Sequence, residues 1–381
     1  MTKINSVNDV KATVADIIKA MESVAPSRLA EEWDNVGLQI GNRNQPVENI
    51  RVALDPTPDV VDAASKDGVD LLITHHPLIF RPLKFIDLDT PMGFIIQTAL
   101  QCRMAIYSAH TNLDSAMDGL NDILAFRIGI RDLKVLGNTK ENENYKLVFY
   151  VPSAYQQSVM HSLFETNAGE VGNYSCCSFR NKGEGTYKPG PLSKPFSGKI
   201  DEISQTDEVR IETVVRKNDV TNIIEHIKKN HPYETMAYDI YPLLSYDVKQ
   251  GLGRIGELDD SMDLRSFALS IKTKLGLNHL KVAGNPDLMI KTVAVCSGSG
   301  SSLINQFIES GAQVYVSGDL GYHDAKTAEA LNLGIIDIGH FASEHLIVDV
   351  LTQRLKQILS GAGIDIKIEA HKLEHEPFMI L

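Results

Sequence analysis

Short apolar runs alternate with amphipathic stretches over two separate parts of this chain. Near the N-terminus, residues 10–21 carry apolar positions at helical spacing and stop before Pro26. A polar, glycine-containing segment, 31–41, reads as a loop. Runs at 50–54, 71–74 and 104–107 read as strands, with helices over 58–66 and 92–101 between them. Strands separated by helices of this length predict a parallel sheet covered on both faces.

The same order returns further on. Strands are expected at 293–296, 314–317 and 334–338, and helices at 302–310 and 324–331. Gly68 pairs with Gly311, and on that spacing Thr74 meets Ser317 while His75-His76 meet Gly318-Asp319. Tyr107-Ser-Ala-His110-Thr-Asn-Leu-Asp114 lies over Asp337-Ile-Gly-His340-Phe-Ala-Ser-Glu344. Each half therefore ends a strand with a small residue, a histidine and a carboxylate four positions on. The pattern predicts an internal pseudo-duplication.

Between the halves the order changes to β-α-β-β-α-β. Strands are expected at 146–151, 174–180, 208–215 and 236–241, with helices at 154–165 and 220–229 and a glycine-rich hairpin at 182–190. That is the ferredoxin-like plan. The predicted fold is α/β: a discontinuous two-half domain, 1–137 with 246–381, interrupted by an inserted α+β domain over 138–245. Gly251-Leu-Gly-Arg-Ile-Gly256 marks the return to the outer domain. Its spacing differs from that of a dinucleotide-binding turn.

Composition narrows the function. Of 381 residues, 43% are hydrophobic and 23% charged, as in ordinary globular proteins. No apolar run is long enough for a membrane span. The opening Met-Thr-Lys-Ile-Asn-Ser lacks the apolar region of a signal peptide, so a cytoplasmic location is expected. Cys102, Cys176, Cys177 and Cys296 form no Cys-x-x-Cys pair and read as reduced thiols, with Cys176-Cys177 in a strand. A net charge of −12 argues against nucleic acid spread over the whole surface.

The chemistry gathers at strand ends. His75 and His76 follow a buried run and precede Pro77, which breaks the ladder, so both rings can enter one cleft. His340 and Glu344 are one helical turn apart. With Asp114 they make five mixed nitrogen and oxygen donors: His75, His76, Asp114, His340 and Glu344. Such donors suit zinc or iron, with manganese and cobalt as alternatives, and not a calcium cage. Five ligands exceed one open catalytic ion and fit two ions sharing a carboxylate, with Asp114 expected as the bridge. His110 is either a sixth ligand or a donor behind the ligands, and His110 and His323 are the candidate proton carriers. Ser297-Gly298-Ser299-Gly300 lies between a strand and a helix and is read as a phosphate-binding turn, the alternative being a plain connecting loop. Asp319 and His323 are expected to face the same cleft, Asp319 toward substrate, the alternative being a capping aspartate and a histidine on a helix face. Trp33, Asp34 and Asn35 either rim the site or belong to a loop anchored by a buried tryptophan. His231 and Glu234 read as the end of a helix before a strand.

Together these motifs resemble the Nif-three-like dinuclear-metal proteins, also called type 2 GTP cyclohydrolase I homologues. The resemblance rests on Trp33-Asp-Asn-x-Gly-Leu-Gln-x-Gly41, Thr74-His-His-Pro77, Tyr107-Ser-x-His-Thr-Asn-Leu-Asp114, Ser297-Gly-Ser-Gly300, Ser317-Gly-Asp319 and Gly339-His-x-x-x-Glu344. The insert resembles the PII/CutA-like domain of the longer members through Gly183-x-Gly-Thr-Tyr-x-Pro189 and His231-Pro-Tyr-Glu234. Thr235-Met236 stands where that pattern has an acidic residue and proline. The resemblance implies metal ligation by the same five donors, and a hexameric ring built as a trimer of dimers with paired metals facing an internal cavity. Two functions are expected from it. One is a metal-dependent hydrolase of a nucleotide or similar small molecule. The other is a non-enzymatic ring that binds nucleic acid or partner proteins, or handles metal.

Overall fold

In the computed structural model, residues 11–137, 144–172, 174–244 and 250–380 are described. The boundaries expected at 138 and 245 lie outside them. Packing divides the chain into two units, Met1–Lys140 with Lys249–Leu381, and Glu141–Val248. In chain order the strands are β1 (Gly37–Ile40), β2 (Asn49–Ala53), β3 (Leu71–Thr74), β4 (Ala105–Ser108), β5 (Ile130–Val135), β6 (Asn144–Pro152), β7 (Ser178–Tyr187), β8 (Ser204–Arg216) and β9 (Tyr238–Pro242). They continue as β10 (Arg254–Asp263), β11 (Lys281–Ala283), β12 (Met289–Ser299), β13 (Val314–Gly318), β14 (Gly334–Asp337) and β15 (Lys367–Ala370). Among the described residues no helix is long and apolar enough to cross a membrane.

The discontinuous unit holds two sheets. The first has the order β1-β4-β3-β2-β15 and the second β11-β14-β13-β12-β10-β5. In the first β2, β3, β4 and β15 run parallel with antiparallel β1 beside β4, and in the second β12, β13 and β14 run parallel with antiparallel β11 beside β14. The parallel sheet expected in each half is thus corrected to a mixed one. The segment 31–41 is corrected too, because its second part forms the edge strand β1, paired with β4. The repeat includes this edge: β1 through β4 and β11 through β14 take the same spatial order.

Alternation explains how both faces of a short strand are buried. Leu71 and Ile73 of β3 pack with Ile17, Met21, Leu351 and Leu355, which lie on the helices Val14–Val24 and Leu346–Gly361. Leu72 faces the other way, onto Val60, Val61, Ile95 and Ile96 of the helices Pro58–Lys66 and Pro91–Gln101. Both of those helices start with proline after a threonine whose hydroxyl accepts an amide of the first turn. In the second sheet Val293, Val295, Val314 and Val316 face Leu264, Phe267 and Ile271, while Ala294, Cys296 and Tyr315 face Phe307 and Ala328.

Register then sets the site. Ala53, Thr74 and Ser108 are level across β2, β3 and β4, so the chain leaves all three strands at one edge. Ser317 and Asp337 are level in β13 and β14. The residues that follow these strands include Asp55, His75, His76, His110, Asp319 and His340.

The inserted unit is a four-stranded antiparallel sheet with the order β7-β8-β6-β9. The helices Gln156–Phe164 and Val220–Asn230 pack on one face through Val159, Leu163, Ile223 and Ile227 against Leu147, Phe149 and Ile211. This is the ferredoxin-like strand order. The hairpin expected at 182–190 is replaced by continuous strand, since β7 pairs with β8 without a break from Ser178 to Tyr187. Cys176 and Cys177 precede that strand instead of lying in it.

Candidate metal centre

At the end of β3 the amides of His75 and His76 still donate to Ala53 and Leu54 carbonyls, at 3.2 and 3.0 Å. The Thr74 hydroxyl then donates to the His76 carbonyl at 2.8 Å, folding the chain back on itself. Both rings consequently lie on one side, with centroids 5.2 Å apart. His110 joins them at 5.2 Å from His75 and 5.5 Å from His76. From the second half, the His340 ring lies 5.4 Å from that of His76.

All four imidazoles are oriented alike. Each Nδ1 is bonded behind the ring: His75 to the Ala109 carbonyl at 2.8 Å, His76 to Asp55 at 2.7 Å, His110 to Asp34 at 2.9 Å and His340 to Asp319 at 2.7 Å. With Nδ1 held by these acceptors, each Nε2 is turned toward the cluster and becomes the lone-pair nitrogen when its proton leaves. His75 Nε2 is buried without a hydrogen-bond partner. Metal-ligating histidines are characteristically held this way, by a carboxylate or carbonyl on the far nitrogen.

Glu344 stands between the rings. Its Oε2 is 3.0 Å from both His76 Nε2 and His340 Nε2, and its Oε1 is 3.7 Å from His75 Nε2. Asp114 Oδ1 reaches His75 Nε2 at 3.6 Å and accepts from the Ser297 hydroxyl at 3.4 Å. Thus the carboxylate whose two oxygens face two sets of imidazoles is Glu344, and not Asp114 as expected. A helix explains the difference: His340–Glu344 is helical, which brings the longer glutamate side chain back under His340. His75, His76 and His110 form one group of ligand atoms within 4.8 Å of one another, and His76, His340 and Glu344 form another.

Charge reinforces the geometry. Burial pushes the His76 imidazole down, but bonds to Asp55 and Glu344 outweigh it and carry its pKa to about 10. Glu344 raises that of His340 to about 9. Burial opposes ionisation of Glu344, yet the three histidines hold its carboxyl well below the ordinary range. For Asp114 burial prevails and the carboxyl is raised. Asp34 is also opposed by burial, and its bonds from His110 and Thr111 still bring it to about 2.

Gly298 keeps the floor open. Its φ is +61°, and a Cβ there would lie 2.2 Å from Glu344 Oε1. The amide of Ser297 donates to Asn121 at 2.7 Å and that of Gly298 to the Ser343 hydroxyl at 2.8 Å. These two amides of the expected phosphate turn are therefore already committed, and Ser297 through Ser299 belong to β12. Gly300 begins a short 3-10 turn, Gly300–Leu303, and its carbonyl accepts the Tyr315 hydroxyl.

Other expected residues fall into distinct places. Asp319 adopts a left-handed φ of +53° and orients His340. His323 is exposed on the helix Tyr322–Ala330, with its ring against Tyr322, and is not brought into the cluster. Trp33 is 58% exposed, which overturns the buried anchor. His231 is bonded through Nε2 to the Tyr150 carbonyl and through Nδ1 to the Tyr233 amide, a structural role inside the inserted unit. Asp55 and Asp34 are the functional residues that sequence spacing missed as partners of particular rings. Arg254 is another. It is buried, pairs with Asp122, and donates to the carbonyls of Ala116, Gly251 and Gly253, tying β10 to the turn that follows Asp114.

A cavity of about 1030 Å³ opens beside His76 and His340, lined also by Asp55, Asp319, Phe341 and the segment around Glu374.

The profile of the Duf34/NIF3 family (NGG1p interacting factor 3) matches residues 12–377. This chain belongs to the NIF3 family. A Bacillus subtilis (strain 168) member, named GTP cyclohydrolase 1 type 2 homolog, is 40% identical over 365 residues, covering 96% of this chain and 98% of its own. Among solved structures, a Bacillus cereus protein related to NIF3 superposes with a TM-score of 0.72 at 38% identity, over 97% of this chain and 99% of that one. A Staphylococcus aureus protein, SA1388, gives a TM-score of 0.74 at 30% identity with the same coverage. The NIF3 fold thus extends over both units, insert included.

Proposed function

We infer that this NIF3-family protein holds two divalent cations, zinc or iron in the first place, and uses them to hydrolyse a small molecule of nucleotide type. One observation carries the reading: four imidazoles, each fixed through Nδ1, gather in one cluster, three of them turn Nε2 toward the Glu344 carboxylate, and one of those nitrogens is buried with no hydrogen-bond partner. A buried polar atom without a partner is costly unless something else satisfies it. Histidine with carboxylate is the donor chemistry of zinc, iron, manganese and cobalt.

In this reading His75, His76, His340, Asp114 and Glu344 would hold the ions, with His110 next to them in the cluster. Bound there, two such ions supply an acidified water and polarise the bond under attack. His110 sits at the rim of the cluster with Asp34 behind it, an arrangement suited to taking up and returning a proton at Nε2. The cavity next to His76 and His340 gives room for a substrate. The name carried by the B. subtilis relative makes GTP the first compound to try. Assembly as a homohexamer belongs to the same proposal and is read by sedimentation of the purified chain.

The test begins with metal analysis of protein purified without chelator, followed by product analysis. About two ions per chain, together with formate released from GTP, support ring opening. Free phosphate or nucleoside supports ester hydrolysis at the same centre. In the His76→Ala, Glu344→Ala double variant, metal content drops well below wild type while circular dichroism is unchanged. Wild-type metal content in that variant removes the assignment.

A further inference from the structure

Trp33 and Phe80 are large aromatic side chains left 58% and 44% exposed beside the cluster. Their rings meet edge to face at 5.8 Å, and the Trp33 ring stands edge-on to His110 at 6.2 Å. We propose that Trp33 and Phe80 form a stacking subsite for a planar aromatic heterocycle, holding it against the His110 side of the metal centre. The proposal rests on the metal-hydrolase reading and names the part of the substrate which that reading leaves open.

The loop bearing Trp33 is fixed on both sides. The Glu31 amide donates to the Thr111 hydroxyl at 2.9 Å, and Asp34 accepts from the Thr111 amide at 3.1 Å as well as from His110. Asn35 donates to the Ile79 carbonyl, and the Ile79 amide donates to Gln39 at 3.2 Å, joining this loop to the one that carries Phe80. These bonds hold the backbone on both sides of Trp33 next to His110. An exposed indole costs solvation and is ordinarily turned inward. Here the polar residues on either side of it are tied down and the ring is presented outward. A flat π-surface presented in this way takes up heterocycles by stacking, whereas a sugar phosphate gains nothing from it.

The chain contains a single tryptophan, so its emission reports on this position alone. Metal-bearing full-length protein is titrated with guanosine, GTP and ribose 5-phosphate. Saturable change with guanosine and GTP, and none with ribose 5-phosphate, is expected. Phe80→Ala should weaken guanosine binding about tenfold with metal content unaltered. Trp33→Phe, followed by equilibrium dialysis, should retain binding that Trp33→Ala loses. Emission indifferent to guanosine in protein carrying its full metal overturns the subsite and leaves the metal reading standing. Protein that holds no metal defeats the metal reading instead. Emission that follows protein concentration and ignores guanosine assigns the face to contacts between copies, and also overturns the proposal.

Discussion

Asp55, Asp34 and Asp319 each stand behind one imidazole, and each should matter more to metal than to fold. Removing such a partner typically lowers metal affinity ten- to about a hundred-fold. Asp55→Ala is therefore expected to weaken cation binding by about that factor in calorimetric titration, with little change in melting temperature. An unchanged affinity would show that His76 needs no guide. The metal-free site also predicts a pH response. His76 and His340 are raised to about 10 and about 9 from 6.5, so their ion pairing with Glu344 is complete below about pH 6.5 and lost as pH climbs through 9 to 10. Chelator-treated protein should melt at progressively lower temperature over that interval. Cation uptake at neutral pH must displace these protons, so apparent affinity rises with pH. A melting temperature that is flat to pH 10 contradicts this account. His75-His76 were legible in sequence because a proline-terminated buried strand announces them. The acids that orient His76 and His110 were not, since Asp55 and Asp34 lie 21 and 76 residues from the rings they serve. The place of Glu344 between the His76 and His340 rings depends on the turn of a five-residue helix, which spacing places but does not aim.

Among the elements, the segment after β15 does the least obvious work. Both Glu374 oxygens accept from the Leu54 amide, at 2.9 and 3.0 Å, and one also accepts from the Asp55 amide at 2.8 Å. That carboxylate holds the end of β2, from which Asp55 reaches His76. Glu374→Gln should loosen the Asp55 turn and lower metal affinity about tenfold or more, by the same route as Asp55→Ala. The two changes combined should then cost little more than either alone, a double-mutant comparison that fails if the effects add. Arg254 plays a matching part in the second half, and leaving Asp122 buried without it is expected to cost about 3–5 kcal/mol in denaturant unfolding. The sequence pattern misread two elements, for different reasons. Gly37 and Gly41 framed β1 as a loop, although its half-buried Leu38 and Ile40 complete an edge. Gly183 and Gly185 suggested a turn, but Gly185 lies flat in β7 because the Glu208 side chain fills the place a Cβ would take.

For the whole molecule, the decisive feature is where the inserted unit leaves and returns. β5 and β10 are antiparallel neighbours, and Gly137 donates to the Leu252 carbonyl at 3.0 Å just beyond them. The insert thus occupies the position of a hairpin loop. Replacing 141–248 by a short glycine-asparagine link should leave a protein that folds and binds cations with wild-type stoichiometry. Failure of that protein to bind metal would mean that the insert supports the centre. Periodicity made the two halves and the insert readable, because it reports which faces are buried. It carried no sign that β5, from the first half, completes the second sheet, or that β15, from the second half, completes the first.

That exchange bears on how the protein is made. A nascent chain stalled before residue 367 has β2 without its outer neighbour, and its Leu54 and Asp55 amides lack the carboxylate that later receives them. His340 and Glu344 have already been joined to the chain by then, yet the turn that aims His76 is still loose. Ribosome-bound intermediates should therefore capture cations poorly, and loading would then follow translation.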